Sequence, residues 1–121
     1  MSNLPTIITV VIVLAIAGGI IYFQNNLTGN QIDAPSEKVA KWIGEHSELY
    51  VQTGCSHCKT QEDLFGKNVK YLTIYDGINT EDRQKFIDAG IEATPTWIIN
   101  NEKYVGVLSI EKLKELTGYQ D

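Results

Sequence analysis

The chain has 121 residues, 43% hydrophobic and 21% charged, with a formal net charge of −5 from 10 Lys and Arg against 15 Asp and Glu. That length holds one globular domain, and 10 Gly, 3 Pro and 2 Cys exclude a collagen-like, low-complexity or disulfide-scaffold chain. The acidic balance argues against nucleic acid as a partner.

The charge is segregated, because no Lys, Arg, Asp or Glu precedes Asp33. The uncharged run from Pro5 to Phe23 is long enough for roughly 28 Å of helix, close to the ~30 Å hydrocarbon core of a bilayer. Residues 1–23 are therefore expected to form a transmembrane anchor, with Pro5 in its first turn and Tyr22 and Phe23 at an interface. A cleaved signal peptide is the rival, with Ala15-Ile16-Ala17 as its small-residue site. Against it, no Lys or Arg occurs in the first four residues and the apolar run continues past Ala17. A buried soluble helix is the third reading, but the rest of the chain is too small to enclose a helix apolar all round. Residues 24–35 are polar, with Asn, Gly and Pro, and read as a linker.

The domain expected over 36–121 alternates between helical and strand patterns. Ser36 caps a helix whose apolar stripe is Val39, Ala40, Trp42 and Ile43, ending near His46. His46 reads as a surface residue. Glu48–Gln52 is a short strand, and a helix follows from about Ser56 to its stop at Gly66. Tyr71–Tyr75 is rich in β-branched and aromatic residues and reads as a strand. Thr80 is expected to cap a helix with Glu81 and Asp82 in its first turn, closing on Gly90. Thr96–Ile99 and Lys103–Val107 form a hairpin through Asn100-Asn101-Glu102, and Ser109 caps a last helix that ends at Gly118. After the first helix the order is βαβαββα, an α/β domain with helices on both sheet faces.

The chemistry concentrates at Cys55-Ser56-His57-Cys58. This spacing puts the first sulfur at a helix N-terminus and the second one turn in. Unpaired amides and partial positive charge there stabilise a thiolate on Cys55. Cys58, on the inner side, becomes the resolving thiol that breaks a mixed disulfide between Cys55 and a substrate. Zinc would need about four ligands, and only Cys55, Cys58, His57 and His46 are at hand. Haem attachment would need His where Lys59 stands. An inert structural disulfide over so short a loop adds little stability. A redox-active dithiol is the reading that fits a pair following a strand and opening a helix. It requires no cofactor beyond the Cys55–Cys58 disulfide. The second signal is Thr94-Pro95-Thr96, where a proline directly before a strand is expected to be cis. It would lie beside the cysteines and leave the Thr94 backbone to pair with an extended substrate.

From about Glu48 to Gly118 the sequence resembles the thioredoxin superfamily, in its element order, its Cys55-Ser56-His57-Cys58 motif, Thr94-Pro95-Thr96 and its terminal hairpin and helix. It is more closely similar to the small thioredoxin-like domains fused to, or working beside, vitamin K epoxide reductase homologues, through His57-Cys58, Leu64-Phe65-Gly66, Gly90-Ile91-Glu92, Pro95-Thr96-Trp97 and Asn100-Asn101. The chain departs from thioredoxins in having Gly54 where Trp usually precedes the first Cys, and Ser56 where Pro or Gly follows it. Leu49 stands about where thioredoxins bury an acid that moves protons to the resolving Cys.

The resemblance implies a thioredoxin fold and catalytic Cys55 and Cys58. It implies redox tuning by Ser56 and His57, because an imidazolium beside the first thiolate stabilises the reduced form and makes the disulfide a stronger oxidant. Thr94 and Pro95 would bind substrate. Thr94 pulls the other way on direction, since relatives that reduce or shuffle disulfides often carry Thr there. The expectation is a membrane-tethered oxidase that passes its disulfide to exported cysteine-containing proteins. A membrane vitamin K epoxide reductase-like or other quinone-linked partner would reoxidise it. The alternatives are an extracytoplasmic reductase or isomerase, and a peptide-binding module with idle cysteines. Lys38 and Lys41 favour a cytoplasmic domain under the positive-inside rule. An oxidase needs a compartment that tolerates disulfides, and a long domain behind a short N-terminal tail can translocate regardless of charge. The domain is therefore expected outside the cytoplasm, with the N-terminus inside.

Overall fold

A computed structural model describes residues 9–16 and 33–121. Residues 9–16 are helical and belong to a separate unit, Met1–Ile32. Among the described residues no helix is long and apolar enough to cross a membrane. The rest of the expected span, residues 5–8 and 17–23, lies outside the described residues, as does linker 24–32. The expected location, a single-pass membrane protein with its C-terminal domain outside the cytoplasm, is therefore corrected: the described chain contains no spanning helix to hold it.

The unit Asp33–Asp121 begins with α1 (Glu37–His46). Ser36 caps it as expected, its hydroxyl accepting the Val39 N–H at 3.4 Å. The chain then forms β1 (Glu48–Val51), α2 (Ser56–Asp63), a 3-10 helix (Gly66–Tyr71) and β2 (Ile74–Asp76). It continues through α3 (Arg83–Ala89), β3 (Thr96–Ile99), β4 (Glu102–Val105) and α4 (Ile110–Thr117). Ser109 caps α4 through the Lys112 N–H at 3.1 Å.

The sheet order is β2-β1-β3-β4. β1 runs parallel to β2, pairing Leu49 with Ile74, and antiparallel to β3, pairing Leu49 with Trp97. β3 and β4 form the expected hairpin. Asn100 and Asn101 both take left-handed φ, 52° and 65°, the backbone a two-residue hairpin turn demands and Asn tolerates. Strand alternation sorts the side chains. Leu49, Val51, Trp97 and Ile99 join Val39, Ala40 and Ile43 of α1, Cys58 of α2 and Leu113 of α4 in one apolar core. Tyr50 points to the other face, where Phe86 of α3 meets its ring edge-on, centroids 5.2 Å apart. Helices thus cover both faces of the sheet. Strand order, connection pattern and helix placement are those that the thioredoxin resemblance implies.

Three boundaries differ from expectation. Gly66 takes φ +53°, ending the α2 region and starting the 3-10 helix. That helix absorbs Tyr71, so β2 begins at Ile74. The Asn68 side chain fixes the segment by donating to the Pro35 carbonyl at 2.8 Å. Thr80 does not cap α3; the helix starts after Asp82. The Asp82 carboxylate is taken by the Asp76 N–H at 2.9 Å instead of a helix amide. β4 stops at Val105 because Gly106, at φ +105°, turns its N–H onto the Pro95 carbonyl at 2.8 Å.

Candidate functional site

β1 delivers the chain to the site and a tight turn presents it. The Cys55 N–H donates to the Gln52 carbonyl at 3.0 Å. Asp76, at the end of the neighbouring strand β2, holds the turn from the side. Its carboxylate accepts the Thr53 N–H at 3.1 Å and the Thr53 hydroxyl at 2.5 Å. It also accepts the Ile78 N–H at 3.1 Å. Although burial opposes them, these bonds hold the Asp76 carboxyl below its ordinary value. Gly54 sits at φ +91° with open space where a Cβ would lie. The left-handed backbone, rather than crowding, favours glycine before the first cysteine.

Cys55 is the N-cap of α2 and Cys58 lies in its first turn. The two form a disulfide with Cα atoms 5.2 Å apart. Their environments differ. Cys55 is half-buried, whereas Cys58 is 2% exposed in the apolar core. The Cys58 N–H donates to Cys55 Sγ at 3.2 Å, so a helix amide already points at the sulfur that would carry charge. The Thr94 hydroxyl donates to the same sulfur at 3.7 Å. The Thr94 carbonyl oxygen lies 3.6 Å away. The Thr94–Pro95 bond is cis, as expected, and places Thr94 against Cys55 across 39 positions of sequence.

Cys55, Cys58, Thr94 and Pro95 therefore gather at one end of the sheet. Ser56 and His57 are exposed on the first turn of α2. Among the described residues neither side chain hydrogen-bonds to a cysteine sulfur. His46 is far from this site in role and contact: its ring stacks on Trp42, centroids 3.8 Å apart. Among the described residues no group of three or more His, Cys, Asp or Glu could hold a metal.

Two residues of α2 escaped the sequence reading. Gln61 is fully buried, with Oε1 accepting the Trp97 Nε1–H at 2.9 Å and the Leu108 N–H at 2.7 Å. Its Nε2 donates to the Leu108 carbonyl at 3.0 Å. It ties the redox helix to β3 and to the segment after β4. Glu62 lines a cavity of about 230 Å³ together with both cysteines and Asp76. Burial pushes its carboxyl above the ordinary value; Lys59 opposes this, and Asp76 and Asp63 add to it. The available signal was spacing: Glu62 follows Cys58 by one helical turn.

No protein-family model matches the chain. It is 32% identical over 101 residues to the thiol-disulfide oxidoreductase LTO1 of Arabidopsis thaliana. That alignment covers 74% of this chain and 27% of the relative, so the chain spans about a quarter of that protein's length. Two solved structures are similar at 17% identity and a TM-score of 0.41: thioredoxin F from spinach chloroplast (short form) and a thioredoxin from Aeropyrum pernix. Each similarity covers 67% of this chain, and 82% and 83% of the respective thioredoxin. The α/β domain itself holds a Cys55–Cys58 disulfide at the start of a helix, with the first sulfur half-buried and the second in the core, and this is the bond that thiol–disulfide exchange acts on.

Proposed function

We propose that this domain is a protein thiol–disulfide oxidoreductase working as an oxidase, which passes the Cys55–Cys58 disulfide to cysteine-containing proteins. A substrate thiolate attacks Cys55 Sγ, the Cys55–Cys58 bond breaks, and Cys58 leaves with the electron pair. A second substrate thiolate then attacks the mixed disulfide at the substrate sulfur. Cys55 departs as a thiolate, and the substrate leaves oxidised by two electrons. A quinone-linked oxidoreductase, of the vitamin K epoxide reductase type or another, would restore the Cys55–Cys58 bond.

The observation that carries the oxidase direction is the donor set at Cys55: the Cys58 amide at 3.2 Å and the Thr94 hydroxyl at 3.7 Å, at a helix N-terminus. Donors aimed at a sulfur stabilise its thiolate, hence the reduced protein, and make the disulfide a stronger oxidant. His57 stands on the exposed first turn of α2, next to Cys58 in sequence. Thr94 and Pro95 supply the substrate platform, since Thr94 lies outside the β3 ladder that begins at Thr96 and touches the reacting sulfur.

A second reading, reductase or isomerase, has one observation of its own. The Thr94 carbonyl, 3.6 Å from Cys55 Sγ, would accept an S–H and so favour thiol over thiolate. The reduction potential of the full chain, equilibrated with glutathione buffers, separates the two. About −180 mV or higher supports the oxidase, and about −270 mV moves the domain to the reductases.

A further inference from the structure

Exchange at a buried sulfur has a proton to place. Cys58 is 2% exposed and shares the apolar core with Val51, Phe65 and Trp97. A thiolate there is costly. Cys58 must therefore gain a proton as it leaves Cys55 and give one up as it attacks. The cavity of about 230 Å³ opens against it, lined also by Cys55, Lys59, Glu62 and Asp76. It has room for several waters, each needing about 30 Å³.

The charged groups facing this cavity are not equivalent. Asp76 is committed to Thr53 and Ile78 through three hydrogen bonds. Lys59 pairs with Asp63 on the outer side of α2, its side chain 72% exposed. β1 offers no acid: Glu48 accepts the Tyr50 hydroxyl at 2.7 Å, and Leu49 is fully buried in the core. The Glu62 carboxylate has no hydrogen-bond partner among the described residues. It lies one turn beyond Cys58 on the same helix, so both share a face. We propose that Glu62 is the proton-handling group for Cys58, exchanging its proton through water in this cavity.

The proposal rests on the oxidoreductase reading above and specifies how the same site works. When the Cys55–Cys58 bond breaks, Cys58 leaves with the electron pair and takes the Glu62 proton through water. The products are a neutral Cys58 thiol and a Glu62 carboxylate. When Cys58 attacks a mixed disulfide on Cys55, Glu62 accepts the thiol proton. The new Cys55–Cys58 bond forms as the substrate sulfur departs as a thiolate. A carboxyl that can hold a proton beside Cys58 agrees with the upward direction of Glu62's titration, which burial drives, Lys59 resists, and Asp76 and Asp63 favour.

The two cysteines can be timed separately in the reduced full chain with one equivalent of dithio-bis-nitrobenzoate. A first burst of thionitrobenzoate reports Cys55 attack, and a second reports Cys58 resolving the adduct. Glu62→Gln is expected to slow the second phase at pH 7 by roughly 100-fold, the low end for a positioned acid–base group. It should also remove the inflection that Glu62 gives the acid limb of that phase's pH profile. A far-UV circular dichroism spectrum superimposable on the wild type shows that the variant is folded, and Glu62→Asp restores part of the second phase. Superimposable second-phase profiles for wild type and Glu62→Gln overturn the proposal. Absence of a second phase in the wild-type chain overturns the oxidoreductase reading itself.

Discussion

Replacing Gln61 with Leu keeps the side-chain size and removes every polar atom at a site with no access to water. Three hydrogen bonds disappear: Trp97 Nε1–H at 2.9 Å, Leu108 N–H at 2.7 Å and the return bond to the Leu108 carbonyl at 3.0 Å. The Trp97 indole is 1% exposed, so its orphaned N–H bears the full cost of about 1–3 kcal/mol. Leu108 is half-buried, and water reaching its backbone softens that loss to about 1 kcal/mol. The expected destabilisation is about 2–4 kcal/mol, a large share of the ~5–15 kcal/mol available to a domain. Urea unfolding of oxidised wild type and variant, followed by Trp fluorescence, reads this as a fall in midpoint at constant slope. Gln61→Glu adds a check with a defined sign. The buried carboxyl is favoured neutral, so this variant should gain stability as pH falls and lose it as pH rises. A Gln61→Leu midpoint indistinguishable from wild type would refute the claim that these three hydrogen bonds anchor the redox helix.

Cys58→Ala should accumulate mixed disulfides on Cys55 when incubated with reduced, unfolded protein, visible on non-reducing gels and absent in Cys55→Ala; a binding module with idle cysteines would form none. Gly44→Ala would put a Cβ 1.9 Å from the Tyr71 carbonyl oxygen, a clash with backbone worth at least about 3 kcal/mol, and should lower Tm by more than about 10 °C. Asp76, held below its ordinary value of 3.8, contributes stability that is complete well above pH 4 and fades as pH falls through its lowered value. The gap in urea midpoint between wild type and Asp76→Asn should accordingly be widest near neutrality and narrow below about pH 4. His57→Ala should lower the reduction potential by less than about 30 mV, because the exposed ring makes no bond to Cys55; a larger drop measured against glutathione would require direct contact.

What was legible in the chain was mainly what is decided locally. Ser36 and Ser109 cap their helices through N–H groups three residues on. Asn100-Asn101 dictates its turn, and Cys55 to Cys58 spans a single helical turn. Pro95 was legible because its place before a strand, well after the cysteines, matched a recurring arrangement. The misplaced boundaries share a cause: a competing partner from elsewhere claims the local signal. Asp82 looks like a first-turn acid, yet the Asp76 amide takes its carboxylate. Tyr71 looks like strand, yet Gly66 and the Asn68–Pro35 bond curl its segment into a 3-10 helix. Gln61 and Glu62 were invisible because a polar pair on a helix reads as a solvated face. Only Trp97 and Leu108, 36 and 47 positions away, reveal Gln61 as interior. The N-terminal expectation differs in kind: apolar length in a sequence measures how much helix is possible, and among the described residues no helix is long and apolar enough to cross a membrane.

The unequal exposure of the two sulfurs also fixes a stoichiometry. An incoming thiolate reaches Cys55 and finds Cys58 sealed in the core, so each molecule can hold one substrate at a time and always through the same atom. The domain therefore cannot act as a covalent staple between two client chains, however concentrated they are. Release of the first client has to precede capture of the next, and trapped complexes should be binary, with one client mass per copy of the domain.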